Sequence, residues 1–202
     1  MKHRLFMVIF VLVTAFTGLA KADPYLQGFQ ALEQKDYKTA LYFLSLFAAN
    51  GDARAQYNLA IMYRDGLGVE QDDVEALSYF IQAAEGGHML ARYAVGLAFR
   101  YGIGSEMDAD TAIYYFTEAA LQGHALSPVE IGAIYFYGKA IPKNLVASHF
   151  WWSLARDRNA PGAAENMALL GREMSEAEKR RAASLQQNCK TVTLRQCINT
   201  FF

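Results

Sequence analysis

The sequence predicts an all-α fold, a right-handed α-solenoid of stacked antiparallel helix pairs with capping helices at both ends. Three observations support this: an internal repeat of 36 residues, apolar residues at three- and four-residue spacing, and glycines that divide each copy into two helices. Of the 202 residues, 53% are hydrophobic and 19% are charged. This composition can bury a core and is not that of a disordered segment.

The repeat becomes visible when the sequence is shifted by 36 positions. The coinciding residues are mostly small or aromatic, and they include the pairs Ala55 and Ala91, Tyr57 and Tyr93, Gly66 and Gly102, Gly102 and Gly138, and Tyr115-Phe116 and Trp151-Trp152. A fixed period of this size is typical of units that bury their apolar faces against their neighbours. The predicted units are residues 51–87, 88–123 and 124–160.

Each unit is expected to hold two helices joined by a glycine loop. In the first unit, helical spacing of apolar residues stops at Gly66-Leu67-Gly68 and resumes at Val74. The second helix can begin at Asp72 or Asp73, because a carboxylate there accepts hydrogen bonds from first-turn amides. Gly86-Gly87 is expected to end it.

The two ends depart from the repeat in the manner of solenoid caps. Residues 23–50 predict a helix pair, with helices at 25–33 and 37–50 and no glycine loop between them. Residues 161–202 predict C-terminal capping helices and a tail. There, Ser175 and Glu178 form a capping-box pattern that opens a charged last helix ending near Gln187.

The first 22 residues have the pattern of a cleaved signal peptide. A basic start at residues 2–4 is followed by an apolar run at 5–19 and by the small-residue pattern Ala20-Lys21-Ala22. The rival interpretation is a membrane anchor, but the run is about 15 residues long, against the roughly 20 that span a bilayer. We expect a periplasmic or secreted protein that begins at Asp23 and has no integral membrane segment after cleavage.

Two further expectations follow from export. Cys189 and Cys197 are the only cysteines, and an oxidising compartment favours a disulfide between them over two unpaired buried thiols. Cleavage of the leader also removes three of the 19 basic residues. The mature chain then has 16 basic and 20 acidic residues, a formal net charge of −4. This charge excludes the basic surface that nucleic acid or anionic lipid would require.

The repeat resembles the Sel-one-like repeat (SLR), a relative of the tetratricopeptide repeat. The resemblance is carried by Ala55-x3-Leu59-Ala60-x2-Tyr63-x2-Gly66-x-Gly68-Val69-x2-Asp72-x3-Ala76-x2-Tyr79-x3-Ala83-Ala84-x2-Gly87. The third copy departs from the motif with Ala140 in place of the second loop glycine. The resemblance implies bacterial members that are often exported and act as adaptors.

No constellation in the sequence predicts catalysis or a cofactor. None of the serines has a lysine three residues later, as in penicillin-recognising enzymes. His88 and His124 occupy one repeat position, so they are expected about 8–10 Å apart, too far for one zinc ion. We interpret both as turn residues, and Asp72, Asp73, Asp108 and Asp110 as helix caps.

What remains is a surface for binding another protein or peptide. The first helices of the units are expected to line a concave face, and the candidate contact residues on that face are Asn58, Ile61, Met62, Arg64, Leu97, Arg100, Glu130, Ile134 and Phe136. Apolar residues flanked by charges are typical of a binding groove. Two alternatives remain: curvature buries most of these residues, or the loops around Tyr101 and Tyr137 carry the binding.

The sequence therefore favours a non-catalytic exported protein that binds a protein or peptide partner. An immunity-type protein that neutralises a toxic effector by direct binding is the alternative. An envelope enzyme acting on peptidoglycan or β-lactams is less favoured, because no nucleophile is found for it.

Overall fold

The computed structural model describes residues 23–201 of the protein. Within that range it contains eleven α-helices and no β-strand: α1 (Pro24–Glu33), α2 (Tyr37–Ala49), α3 (Ala53–Asp65), α4 (Asp73–Glu85), α5 (Met89–Tyr101), α6 (Ala109–Leu121), α7 (Ser127–Tyr137), α8 (Leu145–Asp157), α9 (Ala163–Glu173), α10 (Glu176–Cys189) and α11 (Leu194–Phe201). The predicted leader lies outside the described residues. None of the described helices has the length and apolar character needed to cross a membrane.

The helices stack as consecutive pairs. The closest packing is within the pairs α1 and α2, α3 and α4, α5 and α6, and α7 and α8, and each second helix also packs on the first helix of the next pair. Each helix therefore buries one face within its pair and another against the neighbouring pair. The predicted all-α architecture of stacked helix pairs is confirmed.

One repeat position caps the second helix of every pair. Asp36, Asp72, Asp108 and Asn144 each lie one residue before a second helix, and each side-chain oxygen accepts hydrogen bonds from first-turn amides. For Asp72 the acceptor distances are 2.9 Å to the Val74 nitrogen and 3.0 Å to the Glu75 nitrogen. The capping role predicted for this position is confirmed.

The first helices of the repeats end at glycines with left-handed backbone. Gly66, Gly102 and Gly138 have φ values of 66°, 69° and 60° and end α3, α5 and α7. This conformation strains any residue that carries a Cβ, which explains the recurrence of glycine. The second loop glycine has a packing role as well, because a Cβ at Gly104 would collide with the Asp73 carbonyl group.

Aromatic residues of the second helices pack directly on small residues of the first helices. Trp152 of α8 lies against Gly132 of α7, and Phe116 of α6 lies against Gly96 of α5, so that a Cβ at either glycine would overlap the ring. Trp152 is buried, and its Nε1 donates to the Val129 carbonyl oxygen at 3.0 Å. The cores of these two pairs thus depend on glycines that sequence alone could assign only to a repeat position, whereas α3 has Ala60 at that position.

The C-terminal region differs from the prediction in one element. Ser175 and Glu178 form the expected capping box, but α10 is followed by a further helix, α11, so the prediction that this charged helix is the last one is wrong. A disulfide between Cys189 and Cys197 joins the two helices, with 5.2 Å between the Cα atoms. Arg195 of α11 also donates two hydrogen bonds of 3.1 Å to the Glu118 carboxylate, which fixes the tail to the second repeat.

Candidate partner-binding site

The structure divides the predicted binding face into buried and accessible residues. Met62 is 0% exposed and Phe136 is 4% exposed, and both belong to hydrophobic core clusters. These two residues cannot contact a partner, so assigning them to the face was wrong. The reason is that each lies on the side of its helix that packs on a neighbouring helix, a direction that one sequence did not determine. Ile134, at 9% exposed, is also largely buried.

The polar side chains of the predicted binding face form hydrogen bonds or ion pairs with other residues of the protein. The Asn58 side-chain amide donates to the Arg54 carbonyl oxygen at 2.8 Å, one turn earlier in its own helix. Arg64 donates to both carboxylate oxygens of Asp65, at 2.7 and 2.9 Å. This contact raises the pKa of Arg64 and lowers the pKa of Asp65 from their ordinary values. Arg64 therefore has its own counter-ion at the surface.

Arg100 is held more firmly than its repeat equivalent Arg64. It forms an ion pair with Glu130 of α7, and the two side chains are each about one-fifth exposed. The Tyr93 hydroxyl donates to the same carboxylate at 3.5 Å. Since Glu130 neutralises it, Arg100 links two repeats and does not present an unpaired charge beside the apolar residues.

An apolar pocket lies between the ends of α5 and α7. It has a volume of about 450 Å³. The residues around it come from the two helices, from the glycine loops that follow them and from the first residue of α6, and they are Arg100, Tyr101, Met107, Ala109, Ala133, Ile134, Tyr137, Lys139 and Ala140. We call it the tyrosine pocket, because Tyr101 and Tyr137, the last residues of α5 and α7, both line it. They are 56% and 59% exposed, and Met107, in the loop after α5, is 73% exposed.

A smaller pocket lies at the preceding repeat boundary, where α4 and α5 supply most of its lining and α3 supplies Arg64. Its volume is about 220 Å³, and it is lined by residues that include Arg64, Asp73, Leu97 and Ile103. Five of its lining positions recur in the tyrosine pocket after a shift of 36 residues. Related pockets therefore occur at two repeat boundaries, one between the first and second repeats and one between the second and third.

The size difference follows from side-chain volume at two repeat positions. Ala109 and Ala133 of the tyrosine pocket correspond to Asp73 and Leu97 in the smaller pocket. At the next boundary the same positions hold Leu145 and Leu169. The alanines thus leave space that larger side chains occupy elsewhere. This comparison of repeat positions is the sequence signal that would have identified the pocket.

The tyrosine pocket has few charges. Arg100 is neutralised by Glu130, and Lys139 is the other ionic side chain that lines the pocket. The apolar rim and floor make burial of hydrophobic ligand groups the main source of binding free energy, at about 25 cal/mol per Å² of apolar surface.

His88 and His124 each accept a hydrogen bond from a backbone amide at the start of a helix, α5 and α7 respectively. The His88 Nδ1 atom accepts from the Ala91 nitrogen at 3.2 Å, and its ring lies 4.3 Å from that of Tyr57. His124 repeats this arrangement with the Ser127 nitrogen and with Tyr93. The role resembles that of Asp52 at the same repeat position, which caps α3 through the Ala55 nitrogen at 2.8 Å.

Burial is the main cause of the lowered pKa of His88 and His124. It lowers the pKa of both histidines below the ordinary value, and the nearby Arg54 and Arg158 charges lower the pKa further, for His88 and His124 respectively. A neutral imidazole keeps the acceptor nitrogen that the cap requires. In the described part of the chain, no group of three or more His, Cys, Asp or Glu side chains is arranged to hold a metal ion.

Comparison with known proteins places this architecture in a family. The model of the Sel1 repeat matches residues 18–52, 53–88, 90–124 and 129–159, which together exceed half of the chain. The first match covers the helix pair that we had interpreted as an N-terminal cap. No curated protein matches the chain.

Solved structures that are similar to this one include the following two. A Sel1 repeat protein from Oxalobacter formigenes has 27% sequence identity and a TM-score of 0.65, over 72% of this chain and 60% of that chain. A protective antigen present in uropathogenic Escherichia coli strains, described as displaying an SLR fold, has 22% identity and a TM-score of 0.46, over 82% of this chain and 44% of that chain. This chain therefore spans less than two thirds of the length of either. On the extent of the repeat match, the chain belongs to the Sel1 repeat family.

Proposed function

We propose that this protein is a non-catalytic adaptor that binds a protein or peptide partner at its first-helix face, with the tyrosine pocket at the centre of the contact. Sel1 repeat proteins are typically protein-interaction scaffolds. The observation that carries the proposal is the pocket itself, an apolar depression of about 450 Å³ that is lined by two exposed tyrosines at a repeat boundary. Exposed tyrosines around an apolar centre are typical of interface hot spots.

Few residues of the predicted binding face other than those at the pocket are free to contact a partner. Two of the apolar members of the predicted face, Met62 and Phe136, support the core instead. Asn58 and Arg64 are satisfied by neighbours in their own helix, so they contribute little net binding free energy. Binding is therefore expected to concentrate at Tyr101, Tyr137 and the space between them.

We further propose that the protein acts in an exported, oxidising location, periplasmic or extracellular. The disulfide between Cys189 and Cys197 supports this location, because such bonds are rare in reducing compartments. The apolar run with a small-residue cleavage pattern before Asp23 points the same way.

Site-specific crosslinking in cells of the native source tests the proposal. A photoreactive amino acid at Tyr137 should capture a defined partner, whereas the same probe at the exposed Tyr42 of α2 should not. Purified partner should then bind the wild-type protein and bind the Ala133→Leu variant at least about tenfold more weakly, a change of about 1.4 kcal/mol.

Ala183→Leu is the matched control, since Ala183 is an exposed position on α10. It adds the same side chain far from the pocket and should leave affinity unchanged. Capture at Tyr42 in preference to Tyr137, or equal affinity of the Ala133→Leu variant, would place the binding surface elsewhere and refute the proposal.

A further inference from the structure

We infer that the tyrosine pocket binds a basic segment of the partner. One apolar side chain of that segment enters the pocket, and its lysine or arginine residues lie on the side of the first two repeats. This inference rests on the proposed function and adds the charge of the ligand. It follows from the unpaired charges in the loops that carry the pocket.

The glycine loops of the first two repeats, together with the helix starts that follow them, are acidic. Residues 65–75 contain five acidic and no basic residues, and the equivalent residues 101–111 contain three acidic and no basic residues. Seven of these eight acidic residues are exposed. The equivalent residues 137–147 of the third repeat contain two lysines and no acidic residue. The charge of the loops therefore changes sign at the boundary where the tyrosine pocket lies.

Most of this negative charge is not neutralised within the protein. Asp65 pairs with Arg64. Among the residues that the structure describes, none of the other seven acidic residues forms an ion pair. Arg100, at the end of the helix before the second loop, is paired with Glu130 instead. The seven carboxylates therefore remain available to cationic side chains of a partner.

Helix capping explains some of these acidic residues but not all of them. Asp72 and Asp108 accept hydrogen bonds from the first-turn amides of α4 and α6. Glu70 and Glu106 occupy one repeat position, two residues before those caps, and both are exposed. Within the described chain, Glu70 and Glu106 therefore have neither a capping nor an ion-pairing role.

The acidic residues of the second repeat are direct neighbours of residues that line the tyrosine pocket. Met107 and Ala109 line the pocket, and they alternate along the chain with Glu106, Asp108 and Asp110. Consecutive Cα atoms are about 3.8 Å apart, and charges interact over a screening length of about 8 Å in physiological salt. A ligand residue next to one that enters the pocket is therefore exposed to this negative charge.

The two sides of the pocket differ in charge, which gives the ligand a direction. Lys139 of the third repeat lines the pocket and forms no ion pair with any residue in the described range. It repels a cationic side chain. Toward the first repeat the acidic residues continue, and Asp73 lines the smaller pocket at the preceding boundary. The basic residues of the ligand are therefore expected on that side of the apolar anchor.

Peptide display tests this inference. A library of random twelve-residue peptides is selected on the wild-type protein and screened against the Ala133→Leu variant, in which a larger side chain fills the pocket. Peptides that bind only the wild type should carry a large apolar residue and more lysine and arginine than aspartate and glutamate. At about 0.05 M salt they should bind the Glu70→Gln/Glu106→Gln variant at least roughly fivefold more weakly, and at about 1 M salt this difference should disappear because the charges are screened.

Glu33→Gln/Glu165→Gln is the matched control. Glu33 and Glu165 are exposed, and neither forms an ion pair with another described residue. This double variant removes the same two negative charges in α1 and α9, so it reproduces the change in net charge without changing the loops. The affinity of the selected peptides should remain as in the wild type.

The outcomes separate this inference from the proposed function. If the peptides that Ala133→Leu excludes are acidic or uncharged, or if the two double variants lose equal affinity, the basic ligand class is wrong and the pocket remains the binding site. If no selected peptide distinguishes the wild type from Ala133→Leu and from a second pocket variant, Tyr137→Ala, the pocket is not the binding site and both proposals fail. Thermal unfolding checks that the variants fold, and leucine already occupies the equivalent position, Leu97, in the preceding repeat.

Discussion

Arg100 on α5 forms an ion pair with Glu130 on α7 and so joins the second repeat to the third. The first repeat has no such link, because position 94, which is equivalent to Glu130, is alanine and Arg64 pairs with the adjacent Asp65. Two arginines at one repeat position therefore have different surroundings. One supports the stack, and the other is a surface ion pair.

The two arginines should respond differently to charge reversal. Arg100→Glu places two carboxylates together at a partly buried site, and we expect the free energy of unfolding to fall by about 1.5–3 kcal/mol. Arg64→Glu lies at the surface and should change it by about 0.5 kcal/mol or less. Urea denaturation measures both, and a simultaneous Arg100→Glu and Glu130→Arg exchange should recover part of the loss. Equal effects of the two single substitutions would contradict the structural role of Arg100.

The histidine caps predict a loss of stability in mild acid. Burial, followed by nearby arginine charges, lowers the pKa of His88 and His124 in the folded state, whereas the unfolded value is about 6.5. The unfolded chain therefore binds more protons below about pH 6.5, and the free energy of unfolding should fall from there toward the lower folded pKa. Above pH 7 both states are neutral at these sites, so the effect disappears.

Urea titrations between pH 7.5 and pH 5 measure this dependence. In the double variant His88→Asn and His124→Asn the caps keep an acceptor oxygen but no longer titrate, so the slope should be smaller. An unchanged slope would show that other groups cause the acid sensitivity. Replacement of His88 by alanine should instead cost about 1 kcal/mol at neutral pH, because the cap is lost.

Two glycine-to-alanine substitutions should have opposite effects. Gly132→Ala adds a Cβ that overlaps the Trp152 ring, and we expect a destabilisation of about 1–3 kcal/mol. Gly171→Ala adds the same atom in α9, where nothing lies within 4 Å of it. It should stabilise the protein by about 0.5–1 kcal/mol, because alanine favours helix. Thermal unfolding measures both, and a neutral Gly132→Ala would mean that Trp152 is free to move.

The disulfide should stabilise the tail more than the repeats. Replacing Cys189 and Cys197 with serine is expected to lower the free energy of unfolding by about 2–3 kcal/mol, as for a short closed loop. Amide hydrogen exchange should become faster in α11, while α3 to α6 remain protected. The Arg195→Ala variant, which removes only the contact with Glu118, should show a smaller change. Faster exchange throughout the repeats would contradict a local role.

Mass spectrometry of the protein from its native compartment tests the predicted processing. The mature chain should begin at Asp23 and carry no free thiol when it is denatured without reductant. Retention of residues 1–22 would contradict signal cleavage. Two titratable thiols would contradict oxidation of Cys189 and Cys197 in that compartment.

Local and periodic features of this protein were accessible from its sequence. The glycine loop ends and the aspartate caps depend on backbone geometry within a few residues. The same sequence pattern at Asp72 and Asp108 therefore predicts the same helix cap at both positions. The capping box at Ser175 was also identified, because both of its partners lie in one helical turn. These interactions do not require knowledge of which helix face meets which neighbour.

The binding face depended on tertiary packing. Met62 and Tyr101 are both hydrophobic residues of first helices, yet one is buried in the core and the other stands at the rim of a pocket. α11 was missed because it is short and held by contacts distant in sequence, including the one between Arg195 and Glu118. The sequence by itself determined the repeat and its helix boundaries, since those are set by local hydrogen bonds and sterics. Only the tertiary structure decided which side chains remain accessible, because burial depends on the positions of neighbouring helices.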